Sequence, residues 1–247
     1  MLKVQKFVPR MVYRFLVQIL IYHLIIMKTY TSNFTIALSL CLFSCLGFSK
    51  KESNSVDQES IGNYIPSKET KVAYFASGCF WCVEAIFESV KGVEEAVSGY
   101  AGGHTKNPTY ESSNTGTTGH AETVAVYYNP KIVSFETLVK IYFGSHNPTT
   151  VNGQHPDYGS QYRSIAFYAN DAEKKIIDDM IAILNKEVYN GKVATEVAKL
   201  KKFYKAEEYH QDFEKRNPNQ PYVKAVSIPR LNKFKNKFPE LLKKESH

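Results

Sequence analysis

The chain has 247 residues, of which 43% are hydrophobic, with 17 Tyr and 15 Phe, enough apolar and aromatic material for one sizeable domain. Its net charge of +7 is misleading: residues 1–50 carry six basic residues and no acidic one, which leaves 25 basic against 24 acidic residues in 51–247. A body so close to neutral offers no electrostatic case for nucleic-acid binding, and none is expected.

Residues 1–48 read as a leader. Apolar runs over 11–26 and 34–48 are each shorter than the roughly 20 residues of a spanning helix. From Met27 the order is Lys28, a polar spacer, an apolar core and then Leu42-Phe43-Ser44-Cys45, the layout of a signal peptide. Met27 is therefore the expected start. The last four of these residues are similar to a bacterial lipoprotein box, so Cys45 is the expected lipidation site and the bacterial cell envelope the expected location. The alternatives are an ordinary anchor, or a cytoplasmic protein with a misassigned N-terminus. Residues 49–68 are polar and charged and read as a flexible tether.

The catalytic body is expected over 69–225. It opens with a short apolar strand, Val72 to Ala76. Val83, Ile86, Phe87 and Val90 then follow at the spacing of a buried helix face. Gly78-Cys79 thus falls at a strand-to-helix turn, with Cys79 at the helix N-terminus. Unpaired backbone N–H groups and the helix dipole there predict a lowered pKa for Cys79. Cys82, three residues on, is placed to trap an oxidised Cys79 as a disulfide. The single Trp, Trp81, lies between them. A structural zinc site needs four ligands, and the remaining cysteines, Cys41 and Cys45, sit in the leader, so neither metal nor cofactor is expected. A CxxC at a helix start also fits a thioredoxin-like oxidoreductase.

Further along, a strand is expected over Val93–Tyr100. A long surface loop, His104 to Gly119, comes next, and then an alternating strand, His120 to Tyr128. Ser134 is expected to cap a helix running to His146. A second loop spans Asn147 to Gln161, and Tyr162 to Ala169 reads as a strand. Asp171 is expected to cap a long helix with Ile177, Met180, Ile181, Leu184 and Val188 on one face. A strand over Thr195–Leu200 and a short helix over Glu207–Arg216 complete the body. The basic tail, 226–247, reads as packed or frayed and without chemistry. Sparse alternation of strands and helices gives an α+β fold, a two-layer sandwich with a mixed sheet.

Five stretches carry a resemblance. Gly78-Cys79-Phe80-Trp81, Gly99-Tyr100-Ala101-Gly102-Gly103, Asn107-Pro108-Thr109-Tyr110, Gly119-His120-Ala121-Glu122 and Asp157-Tyr158-Gly159-Ser160-Gln161-Tyr162-Arg163-Ser164 occur in the order seen in A-type peptide methionine sulfoxide reductases. The resemblance covers about Lys71 to Pro218. It implies a ferredoxin-like core and reduction of the S epimer of methionine sulfoxide, free or in proteins. It makes Cys79 the nucleophile and Glu122 the acid that protonates the sulfoxide oxygen. Phe80 and Trp81 would hold the methyl group, Tyr110 and Tyr162 would bind the oxygen, and Asp157 would support the pocket. His120 and Arg163 would be scaffolding.

Attack leaves a sulfenic acid on Cys79. The chain has no cysteine after Cys82, so resolution falls to Cys82 or an external thiol, with a thioredoxin-like reductant reopening the disulfide. Oxidised client proteins and free methionine sulfoxide are the expected substrates, and a monomer the expected state. Two other readings stay open, a general thiol–disulfide oxidoreductase and an inactive envelope module that binds Met-containing peptides.

Overall fold

The computed structural model describes residues 64–244. Met27, Cys45 and the rest of the leader, together with the tether up to residue 63, lie outside the described residues. Among the described residues no helix is long and apolar enough to cross a membrane.

Among the described residues, eight strands and six α-helices alternate. Strand β1 (Lys71–Ser77) leads through a tight turn into α1 (Phe80–Glu88), followed by β2 (Val93–Ala101). The loop expected over 104–119 contains a short helix, α2 (Tyr110–Asn114), because Thr109 and Ser112 form a reciprocal cap that the loop-like composition conceals. Then come β3 (Ala121–Tyr128), α3 (Phe135–Gly144, capped by Ser134) and a small hairpin, β4 (Gly153–Gln154) with β5 (Asp157–Tyr158). Strand β6 (Ser164–Tyr168) precedes α4 (Asp171–Leu184), whose cap is Asn170 rather than Asp171: the Asn170 side chain accepts the Glu173 N–H. Val188, expected on the buried face of α4, lies beyond its end in a π turn and is exposed. After β7 (Glu196–Lys199) and β8 (Phe203–Lys205), the helix expected over 207–216 is broken in two. A 3₁₀ turn (Glu208–His210) and α5 (Phe213–Arg216) are separated at Asp212, whose φ is +51°. The tail is helical and packed: α6 (Ile228–Lys237) buries Phe234.

The main sheet runs β7-β6-β1-β3-β2-β8, antiparallel throughout except for the parallel β6–β7 pair. Side-chain alternation divides its two faces. Ala73, Phe75, Ala96, Tyr100, Val124 and Val126 point to the helix layer and share one core with Val83, Ile86 and Phe87 of α1, Leu138 and Ile141 of α3, and Ile177 of α4. Tyr74, Ala76, Val97, Ala101 and Ala125 form a smaller cluster on the other face. Full burial of each large apolar side chain on α1 contributes roughly 1.5–3 kcal/mol, so the helix is fixed on the sheet by its own apolar stripe. The result is the expected α+β sandwich of a mixed sheet and a helix layer. Glu122 has the parity of Val124 and Val126, which aims its side chain at α1.

Candidate active site

The site forms where β1 turns into α1. Gly78 takes a φ of +86°, a backbone conformation costly for any residue with a Cβ, and a Cβ there would also meet Gln154 Cβ at 2.7 Å. Cys79 is the N-cap of α1, with extended backbone and no side-chain capping bond. From the far side of the core, the Tyr142 hydroxyl donates to the Ala76 carbonyl at 3.1 Å and pairs with the Ser164 hydroxyl at 2.6 Å, fixing the end of β1.

Glu122 enters from β3. Its Oε2 accepts the backbone N–H of Phe80 at 2.9 Å, one of the unpaired donors at the start of α1. Burial is nearly complete, and it raises the carboxyl pKa to about 8, against the pull of the Phe80 hydrogen bond. At neutrality Glu122 therefore holds a proton, as a general acid must. Cys79 and Glu122 face one another across the first turn, close enough that ionised Glu122 adds to the burial that raises Cys79.

Cys79 and Cys82 are both free thiols and both buried. Here the structure corrects the sequence expectation. Burial pushes the Cys79 thiol well up, and its hydrogen bond to Cys82 pushes in the same direction. Cys82 moves down to about 6, first because Cys79 donates to it, then because Arg230 and the hydroxyls of Ser227 and Tyr222 favour its anion against burial. The helix N-terminus does not lower Cys79, because desolvation wins and the Phe80 N–H is engaged by Glu122.

An aromatic box surrounds Cys79. Phe80 is fully buried, with its ring near those of Tyr100, Tyr110 and His210 at 5.8, 6.3 and 4.9 Å. The half-buried Trp81 indole stacks on Phe213 at 3.8 Å and 10°, meets Tyr222 edge-on at 5.9 Å, and donates its N–H to His210 Nδ1 at 3.1 Å. Such ring pairs hold an indole in one plane. The Tyr110 and Tyr162 hydroxyls are raised chiefly by burial, and Glu122 and Cys79 both add to the effect, so the two tyrosines face the same charge centre. Asp157 Oδ2 accepts from the Tyr222 hydroxyl at 2.5 Å, and Tyr222 in turn lies 4.0 Å from Cys82 Sγ. All eight residues expected in the body's site, Cys79, Cys82, Phe80, Trp81, Tyr110, Glu122, Asp157 and Tyr162, are thus brought around one turn. Cys45 lies outside the described residues.

Four residues escaped the sequence reading. His210 anchors the indole; with Nδ1 accepting, its proton sits on Nε2, which is buried without a hydrogen-bond partner among the described residues. Glu207 accepts from the Tyr100 hydroxyl and the Tyr110 N–H, both at 2.9 Å, and so fixes α2 against β2. Tyr222 bridges Cys82 and Asp157. Arg230, from the tail given no chemistry, donates to the carbonyls of Ser77 and Ser145 at 3.0 and 3.1 Å. A run of turn formers before an aromatic residue, Asn217-Pro218-Asn219-Gln220-Pro221-Tyr222, is the one local signal that could have flagged Tyr222. His120 and Arg163 brace loops: His120 Nδ1 accepts from Gly103 N–H at 3.1 Å, and Arg163 donates to the Ser160 and Gly119 carbonyls at 2.8 and 2.9 Å.

Glu84 and Glu88 of α1 come together with Asp212, but Glu84 already accepts from the Ser98 hydroxyl and the Asp212 N–H, and burial raises it to about 8 and Glu88 to about 7. That state suits hydrogen bonding, not a cation.

The family model for peptide methionine sulfoxide reductase matches residues 71–242. A peptide methionine sulfoxide reductase MsrA of Polynucleobacter asymbioticus is 44% identical over 171 residues, 69% of this chain and 90% of that protein. One of Pasteurella multocida is 46% identical over 174 residues, 70% of this chain and 99% of that protein. Among solved structures, Mxr1 from Saccharomyces cerevisiae in reduced form superposes with a TM-score of 0.59 at 33% identity, covering 63% of this chain and 91% of that one. Methionine sulfoxide reductase A of Corynebacterium diphtheriae gives 0.57 at 33% identity, covering 62% and 78%. By sequence and by fold, the chain belongs to the peptide methionine sulfoxide reductase family, as an A-type, S-epimer-specific enzyme.

Proposed function

We propose that the protein repairs oxidised proteins through a two-cysteine cycle on one turn of α1. The observation that carries this reading is the Phe80 N–H to Glu122 hydrogen bond, which holds a buried, neutral carboxyl against the turn that presents Cys79. The sulfoxide methyl group packs against Phe80 and Trp81, and its oxygen meets Tyr110 and Tyr162. In the resting pair Cys79 keeps its proton and donates to Cys82. Passage of that proton to Cys82 frees the Cys79 thiolate to attack, while Glu122 protonates the sulfoxide oxygen. The oxygen ends on Cys79 as a sulfenic acid; the methionine sulfur gains two electrons and the cysteine sulfur loses them.

Cys82 then closes on Cys79 as a disulfide and water leaves. Within the described residues no other cysteine is present, so an external dithiol must reopen it. A thioredoxin-like protein is the reductant this chemistry calls for. The leader ending in Leu42-Phe43-Ser44-Cys45 and the polar stretch behind it support a lipid-anchored enzyme at the bacterial envelope, with oxidised envelope proteins as clients. More than one acyl chain is needed for stable anchoring, since each buried CH₂ contributes ~0.8 kcal/mol.

The test compares dithiothreitol-driven reduction of S- and R-methionine sulfoxide with reduction of insulin disulfides. Turnover of the S epimer alone, lost in Cys79→Ser, is expected. Insulin reduction without sulfoxide turnover would identify a general thiol–disulfide oxidoreductase instead.

A further inference from the structure

Arg230 is a half-buried guanidinium with no carboxylate in ion-pair range among the described residues. It reaches the site from α6, 153 residues along the chain from Ser77. Its Nη2 donates to the Ser77 carbonyl at 3.0 Å and to the Ser77 hydroxyl at 3.4 Å, and its Nε donates to the Ser145 carbonyl at 3.1 Å. Nη1 stands 3.5 Å from the point where a Cβ on Gly78 would lie. Neutral acceptors on two elements thus fix the cation beside the catalytic turn without a direct ion pair, although its charge reaches Asp157. A half-buried cation in that position favours an anion on its neighbours.

We propose that Arg230 is a positioning residue for enzyme recycling: from the C-terminal helix it holds the Ser77–Gly78 turn and sets a positive charge beside the cysteine pair, which eases loss of the Cys82 proton before Cys82 attacks the Cys79 sulfenic acid. The inference rests on the two-cysteine cycle above. Cys82 Sγ⁻ attacks Cys79 Sγ; the S–S bond forms and the S–O bond breaks. Hydroxide leaves and becomes water with the proton Cys82 released. Cys82 is oxidised and the sulfenic sulfur reduced, with no external agent.

The groups around Cys82 set the direction. Cys79 lies on its own helix. Tyr222, at 4.0 Å, and Ser227 face it from the segment before α6, Arg230 from α6 itself, and Glu122 from β3. Asp157 of the hairpin accepts from the Tyr222 hydroxyl and lies within the field of Arg230, which favours its carboxylate against burial. Ser227 is itself committed to Glu214. Arg230 is the one full positive charge in the set.

The test follows disulfide formation in the full chain after one equivalent of S-methionine sulfoxide. Samples are quenched over time, the sulfenic acid is trapped with dimedone and the Cys79–Cys82 disulfide is counted by mass spectrometry from pH 5 to 9. In Arg230→Met the pH midpoint of disulfide formation is expected to rise by about one unit, with a rate about tenfold lower at pH 6, since the rate follows the thiolate fraction. Arg230→Lys, which keeps the charge, should shift it less, and Arg230→Gln, which keeps hydrogen-bond donors, should behave like Met. Near-UV circular dichroism reports whether each variant is folded. A folded Met or Gln variant with the wild-type midpoint overturns the role of Arg230. If wild type itself releases methionine but forms no disulfide, or releases none, the two-cysteine cycle fails instead, and the inference with it.

Discussion

Replacing Glu122 by Gln is expected to remove activity and stabilise the fold, the second effect growing with pH. Glu122 ionises near pH 4.5 in an unfolded chain and near 8 when folded. Because the folded value is the higher, the stability that the neutral carboxyl contributes is fully present below pH 4.5. It is lost as pH rises toward 8. Over that window the folded state holds one proton more than the unfolded state, so stability falls by about 1.4 kcal/mol per pH unit. The ceiling across the window is on the order of 5 kcal/mol. Gln cannot ionise and escapes this slope. Its amide oxygen can accept the Phe80 N–H in place of Oε2, and any unpaired amide N–H adds a constant offset of about 1–3 kcal/mol, without a pH dependence.

The assay is urea unfolding of both proteins at pH 5, 6, 7 and 8. The variant should gain on wild type at each step. Other buried carboxyls, such as Glu84, cancel in the difference. Activity should fall by about 10²–10⁴-fold, the usual share of general acid catalysis. A stability difference that stays flat between pH 5 and 8 would show Glu122 ionised in the fold, and the acid assigned here would have no proton to give at neutrality.

Cys82→Ser should release one methionine per molecule, more slowly than wild type because the acceptor of the Cys79 proton is gone, and then stall with thioredoxin, while dithiothreitol restores turnover. Wild type treated with one equivalent of sulfoxide should show the Cys79–Cys82 disulfide by mass spectrometry, and a stable sulfenic acid there would make Cys82 merely structural. Cys45→Ala should leave the protein unlabelled by a palmitate analogue and out of the membrane fraction when the full chain is expressed in a bacterium. A wild-type protein that is already soluble, unlabelled and uncleaved would refute lipid anchoring.

What the sequence made legible is what lies close together in it. Gly78, Cys79, Phe80, Trp81 and Cys82 form one turn, so period and glycine placement reveal both the turn and the helix. Glu122 is legible by motif, and its strand parity explains why it faces α1. His210, Tyr222 and Arg230 meet the same turn from 129, 140 and 153 residues away. Apart from the run of turn formers before Tyr222, nothing in their own segments marks them, because their roles exist only once the C-terminal segments have packed against α1. Local readings failed elsewhere for a related reason. The helix expected over 207–216 breaks because Gln211 and Asp212 serve tertiary partners: the Gln211 amide spans Ser98 N–H and carbonyl, and Asp212 N–H donates to Glu84. Those bonds outweigh helix propensity over so short a segment.

The Cys79 expectation failed through a competition between two effects that the sequence presents unequally. A helix N-terminus is visible in sequence and favours a thiolate by 0.3–1 kcal/mol or so. Desolvation is invisible there and can move a buried group by ~3–5 pKa units, several-fold more. Phe80, Tyr100, Tyr110 and His210 wall the turn off from water, so the larger effect decides, and the charge of the cysteine pair settles on Cys82, where Arg230 stands. The same wall raises Glu122. One apolar enclosure therefore keeps both groups neutral at rest, the thiol that in the proposed cycle must lose a proton and the acid that must give one. A polar S=O entering that enclosure is the partner that accepts the proton of one and the electrons of the other.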